Sequence, residues 1–140
     1  GTNFRVEEGH PNCIEGLKRP LHTIIPGMVL DHNGLSSLSY GVMGGQYQPV
    51  GQVHVLNNIL DFEMSPQQAI TFPRAFHFSN IYKLEKEVSK EIKDGLSKIG
   101  HNVVHIDDTH GGGQVIQIDR LKGNLIGGSD PRKDGYAKGY

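Results

Sequence analysis

Two adjacent glycines, Gly44 and Gly45, stand in the stretch YGVMGGQYQPVG (40–51), between a run that reads as a buried strand and one that reads as a helix. This pair constrains the fold more than any other local feature, because a chain passing from strand to helix in so few residues must use backbone conformations closed to most side chains. Either the pair relieves a tight turn or it lets another group come close to the main chain. If the strand ends at Met43 and the helix begins between Gln48 and Val50, the amides of Gly44, Gly45 and Gln46 have no carbonyl partners and lie beside the positive end of a helix dipole. Such a place attracts negative charge. Three readings follow: a plain turn, a cradle for a carboxylate or phosphate, or an oxyanion hole whose N–H groups meet the charge that develops as a carbonyl is attacked. The phosphate version lacks its usual partners, since no Lys-Ser/Thr of a P-loop follows and no third glycine completes a dinucleotide fingerprint.

The flanking segments place this corner in a mixed fold. LHTIIPGMVLD (21–31) is apolar and β-branched, broken at Pro26-Gly27, and Asn33-Gly34 turns it into SSLSYGVM, a β-hairpin pattern. Val53, Leu56, Leu60 and Met64 fall at helical spacing and predict a helix over about 50–64. Ser65-Pro66 then starts a short helix through Ala69. AFHFSN and IYKLEKEV read as strands, while Leu84, Val88, Ile92, Leu96 and Ile99 align on one helical face that Gly100 closes. HNVVHI, GQVIQID and NLIGG follow as short strands, the last two joined around Lys122-Gly123. Strands and helices come in pairs rather than in strict alternation, so the expected class is α+β.

Composition narrows the partners. With 14 Lys+Arg against 15 Asp+Glu the net charge is −1, so no broad positive field points to nucleic acid or an anionic membrane. A small or neutral partner is expected instead. The 140 residues amount to one domain, and 36% hydrophobic residues plus 19 glycines is an ordinary globular share. No apolar run approaches the ~18 residues of a membrane helix. Residues 1–20 lack the order of a secretory signal, so any targeting signal is expected outside this chain. Cys13 stands alone, which excludes an internal disulfide and leaves the compartment undetermined.

Other chemistry-bearing residues are sparse. The densest histidine patch, HNVVHIDDTHGGG, holds His101, His105 and His110 with Asp107 and Asp108, but on a strand His101 and His105 stand ~13 Å apart, too far for one ion. No metal and no cofactor is therefore expected. Ser36, Ser37 and Ser39 sit in no GxSxG elbow, and Cys13 has no telling His partner. Thr2 would need a free α-amine to act as an amino-terminal nucleophile, and Gly1 acylates it. His22 and Thr23 enter the first apolar segment, where burying two hydrogen-bonding side chains is costly unless substrate or local backbone pairs with them. In Ser129-Asp130-Pro131-Arg132, turn chemistry accounts for Asp-Pro, while an Asp-Arg pair would pin the tail.

Taken in order, KRPLHTIIPGMV, GVMGGQYQPVGQVHVLNNILDF, SPQQAITFPR, GHNVV, GGGQVIQID and GGSDPRKDGYAKGY resemble the carboxy-terminal part of the small subunit of the γ-glutamyltranspeptidase family, over about residues 9–140. The wording after the glycines is similar to the branch with oxamate amidohydrolase and cephalosporin-acylase-like members, more than to branches that write a serine there.

The resemblance implies a four-layer αββα amino-terminal-nucleophile hydrolase whose precursor cleaves itself. The new amino-terminal Thr attacks an amide, forms an acyl-enzyme and passes the acyl group to water or an amine. Gly44 and Gly45 match the pair whose amides stabilise the tetrahedral oxyanion. His22 and Thr23 match the small hydroxyl residues that hold the substrate carboxylate, and Gln46 joins them as a substrate-binding candidate. Thr23 keeps the hydroxyl and His22 does not, a departure that weighs against a strict γ-glutamyl preference. The nucleophilic Thr, the groups that grip the donor's amino group and the carboxylate-binding arginine are implied to lie in the upstream part of the small subunit and in the large subunit. On this reading the chain is a fragment of a larger enzyme, inactive by itself toward a γ-glutamyl or other small amide, with apolar surface exposed where its partner packs. The competing reading is a non-catalytic carboxylate- or phosphate-binding module built on the Gly44–Gly45 corner.

Overall fold

A computed structural model of the protein describes residues 3–140. Gly1 and Thr2, on which the question of an acylated amino-terminal threonine turned, lie outside the described residues. The hairpin pattern resolves into β1 (Gly27–Leu30) and β2 (Ser36–Met43), paired antiparallel. Asp31 shapes their turn: its carboxylate accepts from the amides of Asn33 and Leu35, both at 2.9 Å. β1 is shorter than the apolar run 21–31 suggests. Pro26 has no N–H to give a ladder, and the carbonyls of Thr23 and Ile25 just before it are taken by side chains of the next helix. His22 and Thr23 therefore precede the strand and are exposed.

A single 3₁₀ turn (Gly45–Tyr47) leads into α1 (Gln48–Leu60), with Pro49 in the first turn, where its missing N–H costs nothing. The helix closes four residues earlier than its spacing predicts. Glu63 is left-handed (φ 53°) and Met64 donates back to the Asn58 carbonyl, which brings the chain to the extended residue that Pro66 requires before it. Ser65 and Gln68 then cap α2 (Pro66–Thr71) reciprocally.

β3 (Ala75–Phe78) and β4 (Ile81–Glu85) form a second hairpin through Ser79-Asn80, both at positive φ, as a two-residue primed turn demands. α3 (Lys90–Lys98) follows, and β5 (Val103–Ile106) returns parallel to β4. The helical face projected from Leu84 is thus a composite. Leu84 is a fully buried strand residue, and the helix begins only after Ser89 caps it by accepting from the Ile92 amide. β6 (Gly112–Asp119) and β7 (Asn124–Ser129) complete the sheet of β1 and β2 in the order β1-β2-β6-β7, and the other sheet runs β3-β4-β5. The class is α+β.

α1 and α2 lie on one face of the four-stranded sheet, where Leu38, Val42, Tyr47, Val55, Ile59, Ala69, Ile70 and Val115 make the core. The opposite face follows the alternate residues of each strand; the tail crosses one end of it, with Lys133 against Gly112 and Ala137 against Gly127, and the remainder is open. Met28, Ser39, Ile116 and Gly127 form one row across it, and Ile116 and Leu125 are 47% and 70% exposed. No helix among the described residues is long and apolar enough to cross a membrane.

Candidate active site

β2 delivers the chain to the glycine corner at the edge of the helix layer. Gly44 adopts φ 131° and Gly45 φ 58°. The Gly44 carbonyl accepts from the Tyr47 amide at 3.1 Å and the Gly45 carbonyl from the Gln48 amide, so the acceptors of the turn are used. Its donors are not: among the described residues, the amides of Gly44, Gly45 and Gln46 give no hydrogen bond to a carbonyl or side chain.

The second reason for glycine is an approach from across the sheet. Gly111, at φ 60°, lies directly against the corner: a Cβ on it would run into the Met43 carbonyl oxygen, and a Cβ on Gly44 would stand 2.9 Å from the Gly111 Cα. The pair thus serves both a turn and a close approach.

A buried ionic network fixes that approach. Arg74 and Asp130 are both fully buried and meet at 2.7 Å. Arg74 also donates to the His110 carbonyl at 2.7 Å, and Glu85 accepts from the His110 amide at 2.8 Å. Asp130 accepts the Gly113 amide at 2.7 Å, so residues 110–113 are held at both ends. Arg132 bonds both Glu85 and Asp130 and reaches the last carbonyls of α2. Both readings of the Asp-Pro-Arg segment hold, because Asp130 also accepts from the Arg132 amide in a local turn. Burial opposes ionisation of Glu85, but its bonds from Arg132 and from the amides of His110 and Arg74 outweigh this and keep its carboxyl below the usual range. Tyr47 stacks on His110 at 5.4 Å, and burial pushes its phenol up to about 12.

A cleft of about 760 Å³ opens over the corner. Its walls include Gly44, Gly45, Gln46, His22 and Thr23, so the five residues singled out in the sequence share one cavity. Neither His22 nor Thr23 makes a side-chain hydrogen bond among the described residues, in contrast to the local backbone pairing weighed for them. Three wall residues carry no signal in the local pattern: Gln48, Gln114 and Lys133. Gln48 bridges the two sides, donating to the Thr23 carbonyl at 3.1 Å and the Gly45 carbonyl at 3.3 Å, and Gln52 one turn later holds the Ile25 carbonyl. Among the described residues no carboxylate lines the cleft, so its unpaired amides and Lys133 leave it electropositive. Among the described residues no three His, Cys, Asp or Glu side chains converge to hold a metal, and His105 instead lies 2.9 Å from the Val88 carbonyl.

The γ-glutamyltranspeptidase family model matches residues 1–140, the entire chain. The chain belongs to the γ-glutamyltranspeptidase family. The glutathione hydrolase-like YwrD proenzyme of Bacillus subtilis (strain 168) is 34% identical over 149 residues, which cover 99% of this chain and 28% of that protein. The oxamate amidohydrolase proenzyme of Klebsiella pneumoniae is 29% identical over 148 residues, covering 100% and 28%. The chain therefore spans a little over a quarter of the length of these curated relatives. Among solved structures, cephalosporin acylase from Bacillus halodurans superposes with a TM-score of 0.79 at 35% identity, over 99% of this chain and 27% of that one. A γ-glutamyltranspeptidase from Pseudomonas nitroreducens does so at 0.77 and 26%, over 94% and 69%. γ-Glutamyltranspeptidase relatives are thus hydrolases and acyl-transfer enzymes, and the α+β class of this chain is theirs.

Proposed function

We propose that this chain supplies the oxyanion-binding corner and one wall of the substrate cleft in a γ-glutamyltranspeptidase-like amidohydrolase or acyltransferase. The observation that carries the reading is the set of unpaired amides at Gly44, Gly45 and Gln46 on the floor of an electropositive cleft. In this mechanism the hydroxyl of an amino-terminal Thr, contributed by the upstream part of the small subunit, adds to an amide carbonyl while its own α-amine takes the proton. The oxygen becomes anionic and is met by the corner amides, which need no rearrangement to receive it. The C–N bond then breaks, the amine leaves with a proton, and water or a second amine takes the acyl group from the resulting ester. His22, Thr23 and Gln46 hold the acyl part, a small or γ-glutamyl amide. The open face of the four-stranded sheet, with Ile116 and Leu125, is where the rest of the four-layer αββα sandwich, from the upstream part and the large subunit, would pack.

Two measurements test this. Mass spectrometry of the native gene product is expected to show a precursor split immediately before a Thr. In the enzyme labelled with ¹⁵N, a boronate analogue that becomes a tetrahedral anion is expected to shift the amide resonances of Gly44, Gly45 and Gln46. An uncleaved product together with silent corner amides sinks the proposal. Binding of glutarate or phosphate at those amides without turnover of any amide supports instead a binding module on the same corner.

A further inference from the structure

A second cavity, of about 360 Å³, meets the first at Met43, Gly44 and Lys133. Its floor is a cluster of aromatic rings. Tyr47 stacks on His110, and Phe76 packs edge-on against both and parallel to Phe78 at 5.7 Å. Phe78 remains 49% exposed although it stands in a strand. Two cations border this floor. Lys83 lies directly across the ladder from Phe76, and its backbone is fixed by the His110 ring nitrogen on its carbonyl at 3.1 Å. The Lys133 stem lies flat on the strand: a Cβ on Gly112 would come within 2.7 Å of its Cγ and 3.2 Å of its Cε. Among the described residues neither lysine has an acidic partner, and no carboxylate lines the cavity.

A carbonyl seated on the glycine corner therefore stands where two cavities meet. The first holds the hydrogen-bonding residues of the proposed acyl site, and the second offers aromatic faces and unpaired ammonium groups. We infer that the second cavity is the subsite for the departing amine, and that it selects an aromatic amine bearing a carboxylate. The ring stacks on Phe76 and Phe78, and the carboxylate pairs with Lys83 and Lys133. Assigning the ligand to the amine side rests on the amidohydrolase reading above. Selection is a difference between two leaving groups: an amine without the carboxylate leaves the lysines unpaired and gains only the stacking.

The test uses the active enzyme that contains this chain and matched anilides, 3-carboxy-4-nitroanilide against 4-nitroanilide, each carried on γ-glutamyl, glutaryl and oxamic acyl groups. The carboxylated member is expected to have a kcat/KM about tenfold higher. Lys83→Met and Lys133→Met are each expected to erode that ratio, and Lys83→Arg to retain it. A wild-type ratio near one, or a ratio indifferent to both Met substitutions, overturns the subsite. If none of the anilides turns over, the amidohydrolase reading is decided by the cleavage and amide-shift measurements above and calorimetry decides the subsite separately. 4-Aminobenzoate that binds more tightly than aniline, with the difference lost in Lys83→Met, upholds it; equal or absent binding of the two overturns it.

Discussion

Gly44 and Gly45 are adjacent but unequal. Gly44 is constrained twice, by φ 131° and by the Gly111 Cα that a side chain would meet at 2.9 Å, whereas a Cβ on Gly45 points into open space. Gly44→Ala is accordingly expected to cost about 1–3 kcal/mol of stability. Gly45→Asn, with φ 58° in the left-handed region that Asn tolerates, should cost less than about 1 kcal/mol. Urea midpoints of the two variants check the order, and equal losses would mean that the approach of Gly111 is not tight. At this scale the sequence was informative about one partner only. The pair between strand and helix marks the corner, but nothing near Gly111 in the chain says that it faces Gly44, because that contact is made by the register of β2 on β6. His22 and Thr23 carried a burial tension that does not exist in the structure, where Pro26 stops the ladder and leaves both exposed.

The elements are held in place by charges that the sequence presents as surface residues. Glu85 falls in the run KLEKEV, in which alternation is easily overlooked, and Arg74 directly follows a proline break; both are buried. Their role depends on elements far apart in the chain, since Arg74 follows α2, Glu85 ends β4 and Asp130 follows β7. Asp130→Asn keeps the shape but leaves the Arg74 guanidinium buried without its counter-charge. The expected loss is about 3–5 kcal/mol, read as a fall in the denaturation midpoint. A loss below about 1 kcal/mol would show that the carbonyls of His110 and Ile70 suffice for Arg74. Amphipathic spacing located α1, and turn residues located the hairpin of β1 and β2 and the joined strands β6 and β7, whereas β3 and β4 were legible as strands but not as a pair and the start of α3 was misplaced. A buried strand residue such as Leu84 falls by chance on the same helical face as Ile92 and Leu96, and only the Ser89 cap divides the two elements.

For the molecule as a whole, a half-buried imidazole and a buried carboxylate contribute to the response to acid. Burial, with Arg74 adding to it, holds the His54 imidazole below its ordinary value. As pH falls through about 6.5 the unfolded chain takes up a proton that the folded one refuses, and unfolding becomes easier. Glu85 works in the same direction at lower pH. Its stabilising bonds are fully present above about 4.3 and are lost as pH falls through its depressed folded value. Urea midpoints are thus expected to fall in two stages between pH 7.5 and 3.5, and His54→Gln should remove the upper stage alone. A single stage in the wild type would exclude His54 from the response.

The network that clamps Gly113 also has a consequence in time. Arg74 waits for Asp130, and Gly44 waits for Gly111, so the first half of the chain contains the glycine pair and the local bonds of its turn but not the residues that close on it from across the sheet. Contacts between such distant positions close late. On the ribosome, a nascent chain released before Asp130 has emerged would carry the letters of the corner without its shape.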